Sequence, residues 1–176
     1  MRKYTALLAG LLLLNACGKK ETFSPEENAG VQMATNVSIF ESKDNQKQWI
    51  LTADAVDFAE LSNATLKNPV LLLKQDGKDS ARVSGNTGSF DYLKKQVSIS
   101  GNAQIHSLSE RVLITTDRFF YDVNEDKIWS DTKTTITRGT AKSVAKGGVV
   151  TDSKLNKIEL KHHATRVPKT ASELKK

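Results

Sequence analysis

Apolar and polar residues alternate along most of this chain, which is the pattern of half-buried β-strands. In the first such segment, for example, Val37 and Ile39 alternate with Ser38 and Phe40. Val, Ile and Thr are frequent in these segments, and clusters of Gly, Asn, Asp and Ser separate them. The alternation predicts eight strands, over Asn36–Glu41, Gln48–Ala55, Leu66–Lys74, Ala81–Ser84, Gln96–His106, Arg111–Thr116, Lys127–Arg138 and Asn156–Val167.

Helical periodicity is missing from the same part of the sequence. After the first sixteen residues, no stretch of ten sustains the 3.6-residue apolar period of an amphipathic helix. Asp76-Gly77 lies between two predicted strands and is typical of a tight β-hairpin turn. The sequence therefore predicts an all-β fold.

The chain also repeats itself at intervals of 31 and 30 residues. Each repeat ends one strand on an aspartate and resumes six residues later with a β-branched residue, and a looser copy runs from Asp57 to Leu66. One such unit cannot bury its apolar face alone, so we expect the units to stack into an antiparallel sheet folded on itself, a roll or open sandwich. The aspartates are Asp91, Asp122 and Asp152, and the β-branched residues are Val97, Ile128 and Ile158.

Two interpretations of the recurring aspartates are calcium binding and capping of the turn. Each aspartate stands immediately before a predicted turn, where a carboxylate accepts hydrogen bonds from the backbone N–H groups that follow it. This regular position favours Asx-turn capping.

The N-terminus has the layout of a bacterial export signal with a lipid-attachment site. Arg2 and Lys3 precede the apolar segment Ala6–Leu14, which as a helix of about 1.5 Å per residue reaches roughly half the thickness of a bilayer's hydrocarbon core. This is too short for a membrane span and suits a signal peptide. The following Leu14-Asn15-Ala16-Cys17 resembles the lipobox of bacterial lipoproteins. We expect residues 1–16 to be cleaved and the Cys17 thiolate to be lipidated; the alternative is an ordinary signal peptide beside an incidental cysteine.

The mature chain divides into a tether, one domain and a tail. Residues 17–35 are polar and form the lipidated N-terminus and a flexible tether of on the order of 25 Å. Residues 36–167 carry the predicted strands, and the Lys-rich residues 168–176 form a basic disordered tail. Cys17 is the only cysteine, so the domain must be stabilised by sheet hydrogen bonds and burial rather than by disulfides.

Charge and composition exclude several classes of function. The net charge is +6, or about +4 without Arg2 and Lys3, but the basic residues are scattered and no aromatic stacking motif accompanies them, which disfavours nucleic acid. The sequence has no Ser–His–Asp signature and no glycine-rich phosphate loop, and its carboxylates give no paired acid/base pattern. We therefore expect a non-enzyme without a cofactor.

The three histidines do not predict a metal site. His162 and His163 are adjacent in a predicted strand and would point to opposite faces, so they could not easily share one ion. His106 has no second ligand at a useful spacing.

Several segments, in order and spacing, resemble the LptC family, the inner-membrane-anchored periplasmic component of the lipopolysaccharide transport machine. The resemblance covers roughly Val37 to Val167, and no single motif is diagnostic. The matching segments are Lys47–Ala53, Asn68–Leu72, Gly101–Ile105 and Val112–Asp117, then Asp122, Ile128, Ser130 and Asp131, and finally Arg138-Gly139 through Gly148 to Asp152.

This resemblance implies a single antiparallel β-jellyroll, or OstA-like folded open sheet, whose apolar interior carries the acyl chains of lipopolysaccharide. LptC proteins accept the lipid from an LptB/LptF/LptG-type ABC transporter in the inner membrane and pass it to the periplasmic bridge protein LptA. Transfer relies on β-strand addition, in which the open edge of one sheet pairs with the next. The expected C-terminal edge is Asn156–Val167.

The N-terminus departs from the family, whose members usually keep an uncleaved transmembrane helix. A lipid on Cys17 would still tether the domain to the periplasmic face of the inner membrane, but it would not insert between transporter helices. Gly18 gives no clear retention signal, so sorting to the outer membrane stays open. The related LptA protein is normally soluble, and Cys17 argues against that assignment.

Fifteen apolar positions are candidates for the inward, lipid-binding face, and a dry core is their alternative role. The corresponding alternative function is an adaptor lipoprotein that binds a protein and no lipid. Gly139 corresponds to the bend glycine of the family, where a side chain would obstruct close backbone approach. The alternative is that Gly139 is an ordinary turn glycine. The inward candidates are Trp49, Leu51, Leu66, Val70, Leu72, Val97, Ile99, Ile105, Val112, Ile114, Phe119, Ile128, Ile136, Ile158 and Leu160; the candidates for the partner edge and bend are Gly139, Ile158, Leu160 and His162.

Overall fold

The computed structural model describes residues 32–60 and 62–166, which form fourteen β-strands. No helix long and apolar enough to cross a membrane occurs within these two ranges. The predicted signal peptide, Cys17 and the basic tail lie outside them. The strands are β1 (Met33–Lys43), β2 (Gln46–Glu60), β3 (Asn63–Lys67), β4 (Val70–Gln75), β5 (Lys78–Ser84), β6 (Thr87–Asp91), β7 (Gln96–Ser107), β8 (Val112–Asp122), β9 (Lys127–Ser130), β10 (Thr134–Arg138), β11 (Ala141–Ala145), β12 (Val149–Asp152), β13 (Ile158–Leu160) and β14 (His163–Arg166).

The all-β prediction is confirmed, but several strand boundaries are wrong. The predicted strand over residues 66–74 is two strands, because Asn68 has a φ of +49° and Pro69 has no N–H to donate to a ladder. The segments 127–138 and 156–167 likewise divide, into β9 and β10 and into β13 and β14. In contrast, the predicted strand that ends at Thr116 continues as β8 to Asp122.

Three long strands pass from one half of the antiparallel sheet to the other. β2 pairs with β4 through residues 49–52 and with β3 through residues 55–60. In the same way, β7 changes neighbour from β6 to β5, and β8 changes neighbour from β10 to β9. The first half-sheet therefore has the order β2-β4-β5-β7-β8-β10-β11-β14 and the second has the order β2-β3-β6-β7-β8-β9-β12-β13. β1 follows β2 through both halves.

The sheet is bent where β7 crosses between the half-sheets. Gly101 and Asn102 both have positive φ, +73° and +55°, and the register with β8 shifts between Ser100 and Ala103. A bulge of this kind bends a strand and increases its local twist. It lets the apolar faces of the two half-sheets turn toward each other.

The thirty-residue repeat corresponds to the hairpins β6–β7, β8–β9 and β12–β13, which lie side by side in the second half-sheet. In the first two, the Oδ1 atom of Asp91 or Asp122 accepts hydrogen bonds at 2.9–3.0 Å from the N–H groups two and three residues further on. Asp152 Oδ1 accepts one from Asn156 N at 3.1 Å. These contacts confirm the capping interpretation. The bond from the Lys94 N–H is the main cause that holds the pKa of Asp91 below its ordinary value.

The predicted hairpin at Asp76-Gly77 is also confirmed. It joins β4 to β5, with Gln75 opposite Lys78. The two central residues have φ values of +49° and +75°, which are those of a type I′ turn.

Candidate functional site

The inner faces of the two half-sheets meet in one apolar cluster. Most of the predicted inward residues are buried in it, and the central ones have almost no exposed surface. Ile158 and Leu160 are partly buried and pack against the cluster from β13. The buried members of the predicted set are Trp49, Leu51, Leu66, Val97, Ile99, Ile105, Val112, Ile114, Phe119, Ile128 and Ile136.

The prediction was wrong for Val70 and Leu72, which are only partly buried. Their neighbours Leu71 and Leu73 are the fully buried residues of β4. A strand that starts anew after Pro69 has its own register, and a shift of one residue exchanges the two faces. The run Leu71-Leu72-Leu73 places leucines on both faces of the strand, so the sequence pattern does not indicate which face is buried.

Several buried residues were missed by the sequence analysis. Phe90 and Tyr121 stand immediately before the capping aspartates, and both are buried, as is Thr151 at the equivalent position. The repeat could have predicted their burial, because the residue before each turn aspartate occupies the same position, and therefore the same face, in every hairpin. Other missed members are Val56, Ala64, Leu71, Leu73, Ala81, Val83, Ala103, Val149 and Leu155.

A small number of contacts join the half-sheets near the hairpin turns. Trp49 packs edge-to-face on Phe90 with ring centroids 6.0 Å apart. A buried hydrogen bond at 3.3 Å links Ser80 Oγ to the carbonyl of Ser153. At the surface, Lys95 Nζ lies 3.6 Å from Glu41 Oε1. These contacts close the interior along this side.

A polar cavity of about 420 Å³ lies between the half-sheets at the same side. Trp49 Nε1 donates a hydrogen bond of 3.1 Å to Glu41 Oε2 at its wall. Burial raises the pKa of the Tyr121 hydroxyl, and the nearby carboxylates of Asp126 and Glu41 raise it further. Since Lys43, Lys74 and Lys154 line the cavity together with Glu41, Asp76 and Asp126, its charges are balanced.

A second groove opens at the C-terminal end of the roll, where the half-sheets part. Its volume is about 380 Å³, and it lies between β10 and β11 on one side and β13 on the other. Both sheets end there, because β14 pairs only with β11 and β13 only with β12 among the described strands. The lining residues are Ile136, Arg138, Ala141, Ser143, Asn156, Ile158 and Leu160.

A family model described as "Lipopolysaccharide-assembly, LptC-related" matches residues 5–167. The chain belongs to the LptC family. Members of this family are periplasmic components of lipopolysaccharide transport. It is a transport family rather than a known family of enzymes.

Among solved structures, the chain is similar to LptH, the LptA-homologous periplasmic component of the lipopolysaccharide transport device of Pseudomonas aeruginosa. The sequences are 12% identical, the match covers 79% of this chain and 95% of LptH, and the TM-score is 0.34. No curated protein matches the chain.

At Gly139, the predicted family bend glycine, no neighbouring atom would obstruct a side chain. Gly139 begins the two-residue turn between β10 and β11 with a φ of +58°, and a Cβ built on it would have no neighbour within 4 Å. Among the glycines of the described residues, the most tightly enclosed is Gly148, whose φ is +89° and whose Cβ would lie 1.9 Å from the carbonyl oxygen of Ser130. The obstruction expected at Gly139 is therefore found nine residues later.

His106 and His162 lie apart from the apolar site. His106 is exposed on β7. His162 is exposed in the bend between β13 and β14 with a φ of +51°, so the prediction that it shares a strand with His163 was wrong. Within residues 32–60 and 62–166, no three His, Cys, Asp or Glu side chains are grouped to hold a metal ion.

Proposed function

We propose that this protein accepts lipopolysaccharide from an LptB/LptF/LptG-type ABC transporter and passes it to an LptA-like bridge protein through the space between its half-sheets. The acyl chains would replace contacts that the two apolar faces make with each other. Each buried methylene contributes about 0.8 kcal/mol, so one acyl chain gains several kcal/mol.

The observation that carries the proposal is the groove at the C-terminal end of the roll. There the apolar side chains of Ile136, Ile158 and Leu160 line an opening, while the outer edges of β13 and β14 have no strand partner among residues 32–60 and 62–166. A partner of the same fold that added a strand to either edge would extend the apolar surface beyond the end of this domain.

Loading of the interior requires the half-sheets to separate, because its central side chains are packed against each other. The contacts that oppose separation at the hairpin side include one exposed ion pair, which contributes little, and the single hydrogen bond from Ser80 to Ser153. Opening at this side, which would also separate Trp49 from Phe90, gives a lipid a route to residues such as Ile99 and Ile114.

Photocrosslinking in cells tests the lipid path, with matched probes at the buried Leu71 and at its outward neighbour Leu72. Probes at Ile99, Ile114 and Leu160 extend the test along the interior. We expect lipopolysaccharide adducts at the inward positions and not at Leu72. A folded, abundant protein without adducts at any position would instead support the adaptor function.

Docking of the bridge protein is tested by a probe at Glu159, which is exposed on β13 at the sheet edge. Ser98 is the control, since it lies on the same sheet but on β7, which has neighbours on both sides. Adducts with the LptA-like protein at Glu159 alone are expected. Equal yields at both positions would contradict docking through this edge.

The proposed membrane anchor is the lipid on Cys17. Incorporation of labelled palmitate, lost in the Cys17→Ser variant, is the expected result. Fractionation of the labelled protein with the inner membrane would support the proposed location, and an unlabelled chain would exclude the anchor.

A further inference from the structure

The tip of the β6–β7 hairpin, residues 91–96, exposes a large apolar side chain that the turn does not need. Leu93 is 83% exposed, with Tyr92 exposed beside it. The equivalent positions in the other two hairpins of the repeat, two residues after the capping aspartate, are Asn124 and Lys154. A polar residue satisfies the same Asx turn, so the leucine calls for another explanation.

The backbone of the turn at Leu93 is held in place by the residues around it. Asp91 Oδ1 accepts the Leu93 N–H at 3.0 Å, and the Tyr92 N–H donates to the carbonyl of Ser62 at 3.0 Å. The ring of Tyr92 rests edge-to-face on Phe90, with centroids 4.9 Å apart. A contact through Leu93 would therefore have little backbone ordering entropy to overcome.

Two lysines follow the leucine directly. The side chains of Lys94 and Lys95 are 74% and 51% exposed, and their carboxylate contacts, to Asp91 at 3.3 Å and to Glu41 at 3.6 Å, are weak surface pairs. Both ammonium groups are thus available to anionic groups outside the protein. The matching tip of β8–β9, residues 122–127, has three acidic residues and one lysine instead.

The tip lies on the side of the second half-sheet where the chain enters the domain. β1 starts there at Met33, which is exposed and pairs with Asp57. Asp57 also pairs with Thr65 on β3, which in turn pairs with Ser89 on β6. The capping Asp91 is two residues further along β6. The described part of the chain therefore enters the domain at this side.

We infer that the β6–β7 tip is a membrane contact, in which Leu93 enters the boundary between headgroups and acyl chains and Lys94 and Lys95 bind anionic lipid headgroups. An apolar side chain flanked by lysines combines the two interactions that hold proteins at anionic membrane surfaces. The inference rests on the lipid anchor proposed above. It gives the anchored domain one defined orientation, with the side that bears Met33 and Leu93 toward the membrane.

The test places an environment-sensitive NBD label on Leu93→Cys in the full chain, in vesicles of phosphatidylethanolamine and phosphatidylglycerol. Cys17 is the only native cysteine, so acylation leaves the introduced thiol as the one to be labelled. Asn124→Cys is the matched control at the equivalent tip. Leu108→Cys is a second control, at a leucine that is 52% exposed but has no neighbouring lysine.

We expect a blue shift and a several-fold rise in emission at position 93 only, with quenching by brominated lipids. The response should weaken in the Lys94→Gln/Lys95→Gln background and at high salt. A chain that floats with the vesicles while its label at 93 behaves like that at 124 would overturn the membrane contact and leave the anchor intact. A label at 93 that is shielded in native membranes but not in lipid vesicles would overturn it in favour of a protein partner. A chain that neither floats nor responds would overturn both proposals.

Discussion

At the scale of single residues, Thr116 holds together the point where the chain passes between the half-sheets. Its Oγ1 lies 3.0 Å from Ser130 Oγ, 2.8 Å from Thr132 Oγ1 and 3.1 Å from the carbonyl of Lys133. Thr134 Oγ1 adds a further hydrogen bond at 3.3 Å. This buried group ties β8 to the connection between β9 and β10, and alternation of apolar residues gives no sign of it.

We predict that Thr116→Val lowers the free energy of unfolding by about 1–2 kcal/mol, because valine keeps the shape but removes the shared hydroxyl. Urea denaturation measures the change. Thr115→Val, on the outer side of the same strand, is the control and should stay within about 0.5 kcal/mol of the parent. Equal effects of the two substitutions would show that the hydroxyl group is not important for stability.

The two turn glycines should respond very differently to the same substitution. Gly148→Ala places a Cβ 1.9 Å from the Ser130 carbonyl oxygen, so β9 or β12 must move; we expect a loss of about 3 kcal/mol or more. In Gly139→Ala the new Cβ has no atom within 4 Å. The free energy of unfolding should fall only by what a positive φ costs a residue with a side chain, about 1 kcal/mol. Thermal unfolding of both variants tests this, and a larger loss for Gly139→Ala would contradict it.

At the scale of elements, the register of each strand decides which side chains reach the apolar interior. In β4 the buried positions are Leu71 and Leu73, and Leu72 lies on the other face. β5 fixes this arrangement through the pairs Leu71 with Val83 and Leu73 with Ala81. All four of these residues are buried, so the hairpin as a whole specifies the face.

The matched substitutions Leu71→Ala and Leu72→Ala test the register. Leu71→Ala should cost about 2–5 kcal/mol, because it removes a fully buried side chain and leaves a cavity. Leu72→Ala should cost about 1 kcal/mol or less, since its side chain is only partly buried. Chemical denaturation measures both, and the reverse order would mean that β4 faces the other way.

At the scale of the whole molecule, the roll is most firmly held at its centre and least at its ends. β7 and β8 have hydrogen-bonded neighbours on both sides and belong to both half-sheets. β13 and β14 each have one neighbour among the described strands. The same ends that offer strand addition to a partner are therefore the weakest parts of the domain.

Native-state hydrogen exchange should reveal this gradient. We expect amides in β7 and β8 to open with free energies close to that of global unfolding, and those in β13 with free energies several kcal/mol lower. Mass spectrometry of peptides from each strand gives the comparison. Uniform protection across the sheet would contradict a stable centre with weaker ends.

The sequence by itself determined the all-β class, the hairpin at Asp76-Gly77, the capped turns of the repeat and the family. Each of these depends on local spacing: period-2 alternation, an aspartate before a turn, and motifs in a fixed order. Most inward positions followed from the same alternation, since one face of a regular strand is buried throughout its length.

Only the tertiary structure decided the register of β4, which of the turn glycines Gly139 and Gly148 has no room for a side chain, and the groove at the C-terminal end. Leu71 and Leu72 are equally apolar, and their faces are set by pairing with β5. Gly139 and Gly148 both have positive φ, and they differ in whether a neighbouring strand lies against them. These properties depend on residues distant in sequence, because a strand's neighbours determine its surroundings while its own residues determine only its periodicity.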